Sequence, residues 1–209
     1  MAIRLTLKKT ERILFCGSKW WGDPDLPENM QYPVMTVEEG GESFEYPLTF
    51  ICQINCEDIA EFDKEGLLPH EGMLYFFGAI DELAGYESPV RTVLGEWPKG
   101  RLVVKYAKSI NFETFQSSML VDDENQSLTD PELEISFSLC EDDEPGIKML
   151  GRSCSDQLDE EMKNLVNLLQ IDEDMAAGLE PCGWDVLNVL IKDSDLKFGN
   201  WKKSRSVLI

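Results

Sequence analysis

The sequence predicts an α+β fold, predominantly β, made of two related β-rich halves fused into one compact body with a few short helices. Three observations point there. Residues 48–56 and 72–78 are short apolar runs bounded by turn residues, the pattern of buried core strands. A fainter copy returns at 168–172 and 183–191. Each copy also sets a glutamine, Gln53 or Gln170, inside an apolar run, where a buried side-chain amide must find hydrogen-bond partners. The halves divide at roughly 1–108 and 109–209, an internal repeat within a single domain long enough for a substantial core.

In chain order, residues 1–15 alternate weakly, as a strand or an amphipathic helix would, and 13–16 read as strand. Two glycines and two prolines make 17–27 an irregular loop with defined turns. Within it Trp20 and Trp21 either anchor the loop on the core or face a ligand. Residues 31–33 continue extended, 38–42 are an exposed turn, and 57–62 a turn or two of helix. His70, the single histidine, sits in a turn between Pro69 and Gly72 and is expected to face solvent. Residues 90–94 and 102–106 read as two strands about a turn at 97–100. Residues 112–120 are ambiguous. Residues 156–166 read as the one sustained helix, with early acids at the positive end of its dipole and Leu158, Met162 and Leu165 on one side.

The formal net charge is −21. A phosphate backbone or an anionic bilayer must be met by Lys and Arg, so neither nucleic acid nor membrane is an expected partner. Between Lys108 and Lys148 there is no basic residue but eleven acids, read as an exposed connection interrupted by a strand at 133–139. Asp122, Asp123, Glu124, Glu141, Asp142, Asp143 and Glu144 are the candidate acidic surface, which serves either solubility or attraction of a basic partner. Basic residues gather at both ends of the chain and would cluster if the ends meet. No apolar run reaches the roughly 18 to 20 residues of a membrane span, and the N-terminal stretch lacks the apolar core of a secretory signal, so a cytoplasmic location is expected.

Six cysteines with irregular spacing and no C-x-x-C pair read as reduced, partly buried thiols. With one histidine, no metal site or cofactor is expected. Gly151-Arg152-Ser153-Cys154-Ser155 lacks the closing glycine of a nucleophile elbow. Gly17-Ser18-Lys19 lacks the upstream glycine of a phosphate loop. Asp172-Glu173-Asp174 lacks the glycine and closing glutamate of a calcium loop. The candidate ligand residues are therefore Trp20, Trp21, Gln53 and Gln170, with no catalytic residue assigned.

Three stretches together carry a resemblance: Ser18-Lys19-Trp20-Trp21-Gly22-Asp23-Pro24-Asp25-Leu26-Pro27, then Pro47 through the Phe50-Ile51-Cys52-Gln53-Ile54 run, then Leu67-Leu68-Pro69-His70-Glu71-Gly72 with the aromatic run after it. With Leu168-Leu169-Gln170-Ile171-Asp172, this order resembles the YwqG-like family, a bacterial domain of unknown function. The C-terminal match is looser, since Trp184-Asp185-Val186-Leu187 replaces the family's usual Gly-Asp and aromatic strand. The resemblance implies a largely β, α+β fold with two related halves and supplies no catalytic residues. Similar families occur near secreted toxins, which implies an immunity-type role. Two functions follow. One is a non-catalytic protein-binding module that meets a basic protein through its acidic surface. The other is a small-molecule enzyme or sensor with a pocket between the halves.

Overall fold

A computed structural model describes residues 1–172, 178–179 and 186–209. The residues 183–185 that open the expected last core strand, Cys182, and Glu173 and Asp174 lie outside the described residues. β1 (Ala2–Lys9) leads through a turn into β2 (Lys19–Trp20) and β3 (Asp25–Pro27). β4 (Val34–Glu39) and β5 (Glu42–Pro47) form a hairpin about Gly40 and Gly41. β6 (Thr49–Asn55), β7 (Met73–Gly78), β8 (Gly95–Glu96) and β9 (Leu102–Ala107) complete the first half, and β10 (Phe115–Ser117) opens the second. β11 (Leu133–Cys140), β12 (Lys148–Met149), β13 (Val166–Asp172), β14 (Val186–Ile191) and β15 (Arg205–Leu208) follow. The helices are single turns: α1 (Cys56–Ile59), α2 (Glu160–Lys163) and α3 (Asp193–Lys197), with a 3-10 turn at Trp201–Lys203.

Eleven strands make one sheet in the order β8-β15-β14-β13-β12-β1-β11-β2-β6-β7-β9. Its middle is the β1–β11 pair, antiparallel over the whole of both strands from Ala2–Cys140 to Lys9–Leu133. The sheet curls as a half-barrel. Its concave face gathers one core from both halves, in which Ile3, Trp20, Ile51 and Phe76 meet Leu169, Ile171, Leu187 and Val189. Strands buried on both faces read as unbroken apolar runs rather than as alternation, which is why β6 and β7 were legible. Their convex face carries Phe50, Tyr75 and Phe77 and is covered by Leu26 of β3 and Phe115 of β10. The convex face of β14 and β15 is covered by Leu158 and Met162, next to α2.

Several expectations change. Residues 13–16 are a turn, with Ile13 exposed and Cys16 left-handed at φ 55°. Residues 90–94 form no strand; only Gly95–Glu96 pair, with β15. The helix expected over 156–166 is the one turn α2, capped where the Asp159 carboxylate accepts from Met162 N at 2.8 Å. It stops at Asn164 because Val166 is already paired with Ile191. The strand at 133–139 is the middle of the sheet rather than an interruption of a loop. The two basic ends do not cluster, since β12, β13 and β14 separate β1 from β15.

Candidate functional site

Gln53 and Gln170 are fully buried and bridge neighbouring backbone, as the sequence suggested for a buried amide. Gln53 Nε2 donates to Gly17 O and its Oε1 accepts from Asp25 N, both at 2.9 Å. Gln170 Nε2 donates to Gly146 O and its Oε1 accepts from Cys154 N, again both at 2.9 Å. Each glutamine stands opposite a buried lysine, Lys19 or Lys148, in the adjoining short strand. Two residues beyond each lysine the chain turns left-handed, at Trp21 (φ 57°) and Leu150 (φ 62°). A bulky residue at positive φ is strained, and such strain often marks a functional site. Its presence beside both lysines ties it to the scaffold instead.

Trp20 is fully buried, edge-on to Trp21 with ring centroids 5.5 Å apart. Of the four candidate ligand residues, Trp21 lines a described recess; Trp20, Gln53 and Gln170 sit inside the core. A recess of about 340 Å³ does lie where residues 62–67 meet residues 139–166, but none of the four lines it.

The recess at Trp21 has a volume of about 420 Å³ and lies within residues 21–130. Its aromatic lining is Trp21, Tyr32, Tyr46, Phe50 and Tyr86. Its charged residues are all acids, Asp81, Glu87 and Asp130. The Asp81 side chain, in a residue only 6% exposed, accepts from Tyr46 Oη at 2.7 Å and from Thr49 Oγ1. Among the described residues no Lys, Arg or His stands within ion-pair distance of Asp81. Tyr86 Oη donates to Asp130 at 2.8 Å. Burial, and then donation to Asp81 or Asp130, pushes the Tyr46 and Tyr86 phenols up to about 12, so both remain donors at neutral pH. These residues are scattered over a hundred positions with no local spacing to announce them. The signal present in the sequence was Tyr32, Tyr46 and Tyr86, all outside the apolar runs of the first half.

Of the acidic surface, Asp122, Asp123, Glu124, Glu141 and Asp143 are exposed. Asp142 and Glu144 are half-buried and paired with the Met1 amino group and Arg4, each at 2.5 Å. Asp122 to Glu124 form the tip of a loop, closed by the Val121–Ser127 bridge, whose flanks Leu120 and Ser127 line the recess. His70 lies in its turn with Nε2 3.3 Å from Asp63. Cys16, Cys52, Cys56 and Cys140 are buried free thiols. Burial pushes Cys16 up to about 11 and Cys56 to about 12, which disfavours a thiolate nucleophile at neutral pH. Among the described residues no group of three or more His, Cys, Asp or Glu could hold a metal ion, and no helix is long and apolar enough to cross a membrane.

A curled, mostly β sheet with an acidic aromatic recess lined by residues 21–87 and 120–130 is the class of protein the geometry defines. Residues 18–208 match the model of the family described as Domain of unknown function (DUF1963), and the chain belongs to that family. No curated protein matches it.

Proposed function

We propose that this is a non-catalytic binding protein that takes a cationic group, an alkylammonium or guanidinium, into the aromatic recess. The observation that carries the reading is Asp81: a buried carboxylate held by two neutral donors, with no counter-cation among the described residues, on the wall of an aromatic cavity. A buried charge without a partner is costly. Aromatic faces and a fixed carboxylate are together the usual receptor for an organic cation. The acidic loop tip at the rim and the net charge of −21 would steer a cation inward. The same chemistry reaches the recess from a free amine or from a Lys or Arg of a basic partner protein. The second source is the partner-binding role expected from the charge, and an immunity-type role would be one instance of it. The alternative is an enzyme or sensor with its pocket between the halves, and the same recess, lined by residues 21–87 and 120–130, would serve it too. The matched lysine–glutamine clusters support two halves related by an internal repeat, and the family match supports the YwqG-like resemblance.

Calorimetric titration with tetramethylammonium, with butylguanidinium and with a lysine-rich peptide tests this, with tert-butanol as the neutral isostere. Saturable binding of the small ions, weakened about tenfold or more by Asp81→Asn in a variant that keeps its circular dichroism, supports a free amine ligand. Binding of the peptide alone supports a basic partner. Equal binding of tert-butanol, or no binding by any probe, sinks the reading.

A further inference from the structure

The sheet ends on one side at β9, and among the described residues no backbone group of Leu102–Ala107 bonds outside the sheet. An antiparallel edge strand presents every second residue's N–H and C=O outward, a template for another chain. An open groove of about 1210 Å³ follows this edge. Residues from both faces of β9 line it: Val104 and Tyr106, which pack on the concave core, and Lys105 and Ala107 on the convex side. Lining from both faces means that the groove opens onto the edge itself. Residues 27–31 form one wall and residues 199–203 the other.

The charge of this groove is opposite to that of the molecule. Lys105, Lys108, Lys202 and Lys203 line it with Glu28 as the only acid, in a chain of net charge −21. Lys203 is tied to Asp195 at 2.6 Å and Lys105 to the Gln31 carbonyl at 2.5 Å. Lys108 and Lys202 have no hydrogen bond or ion pair among the described residues. Burial, and then the nearness of Lys202, holds the Lys105 ammonium below its ordinary range.

We infer that the β9 edge is a docking site for an acidic peptide segment, which adds to the sheet as a further strand while its carboxylates meet the four lysines. Main-chain pairing supplies affinity in this mode of recognition and side-chain contacts supply selectivity. A second copy of the chain is a poor occupant, because β9 against β9 would set Lys105 and Lys108 against their own copies. The inference is independent of the cation recess, which shares no lining residue with this groove.

Fluorescence anisotropy with a labelled peptide of alternating Glu and Val tests it, beside the same peptide N-methylated at alternate amides and an alternating Lys–Val peptide. The test variant is K108E/K202E, whose lysines make no contact that the fold uses. The acidic peptide is expected to bind, and N-methylation to weaken it about tenfold or more. The K108E/K202E variant should weaken it about tenfold and flatten its salt dependence. Equal binding of the N-methylated peptide would reduce the groove to a charge patch and overturn strand addition. Full affinity in K108E/K202E, preference for the lysine peptide, or no binding overturns the site. A wild-type dimer that K108E/K202E dissolves in sedimentation would put a second copy in the groove and equally overturn it.

Discussion

The clusters around Gln53 and Gln170 solve the same problem with different charges. In both, a short strand carries a buried lysine, and a glutamine opposite ties down the backbone two residues before that lysine and six after it. In the first cluster the sixth residue is Asp25, fully buried, which also takes Lys19 at 3.0 Å, Ser117 Oγ at 2.6 Å and Cys16 N at 2.8 Å. In the second that residue is Cys154, and Lys148, 1% exposed, donates to the Asp142 carbonyl at 2.6 Å. Burial holds the Lys148 ammonium below its ordinary range. The shared part is the amide bridge. The carboxylate is a local addition that neutralises one lysine and not the other.

The largest expected effect that would break this comparison is Asp25→Ala. It strands Lys19 with only the half-buried Glu132 and takes the Asp25 acceptor from one Gln53 N–H, from the Ser117 hydroxyl and from Cys16 N, at a cost of about 3 to 5 kcal/mol in urea unfolding. A cost below about 1 kcal/mol would mean the carboxylate is not structural. Next come Gln53→Leu and Gln170→Leu. Each leaves buried backbone groups unsatisfied, about 1 to 3 kcal/mol, with the larger loss at Gln53 because its further donor bond runs to the Asp25 carboxylate at 2.8 Å, where that of Gln170 runs to the Glu144 carbonyl at 3.4 Å. A larger loss at Gln170 would reverse the assigned roles. Gly22→Ala and Gly151→Ala sharpen the match. Both glycines are left-handed, and an added Cβ would lie 2.8 Å from Glu132 Cβ in one case and 2.6 Å from the Asp142 carbonyl oxygen in the other. Both should cost about 1 to 3 kcal/mol in thermal unfolding.

The smallest effect is at Lys148. Because its folded pKa is depressed, the unfolded chain holds more protons between that value and the ordinary lysine value. The lysine therefore contributes a rise in stability with pH across that window, and nothing to the slope below it. Lys148→Met should be neutral or stabilising near neutral pH and should lose that alkaline rise. An unchanged slope in pH-dependent unfolding would show that Lys148 stays charged in the fold.

Residues whose setting is local were readable. The runs at β6, β7 and β13 announced themselves because strands covered on both faces leave no room for polar residues, and the two glutamines stood out against them. The pattern Gly-x-Lys-x-x-Gly at 17–22 and again at 146–151 was present too, but a lysine in a loop gives no sign that it is buried. The helix expected over 156–166 is cut to one turn because pairing of Val166 with Ile191 outweighs helical periodicity that ends in the same residue.

By itself the sequence determined the β-rich class, the core strands, the buried amides and the surplus of exposed acid, since each follows from the character of a few consecutive residues. Tertiary structure alone decided that β1 and β11, some 130 positions apart, form the middle of the sheet. It also decided that tyrosines and aspartates from distant segments share one recess and that lysines from two segments meet at one edge. Such meetings depend on how the sheet curls, and curvature is set by the pairing of whole strands rather than by any single stretch of chain.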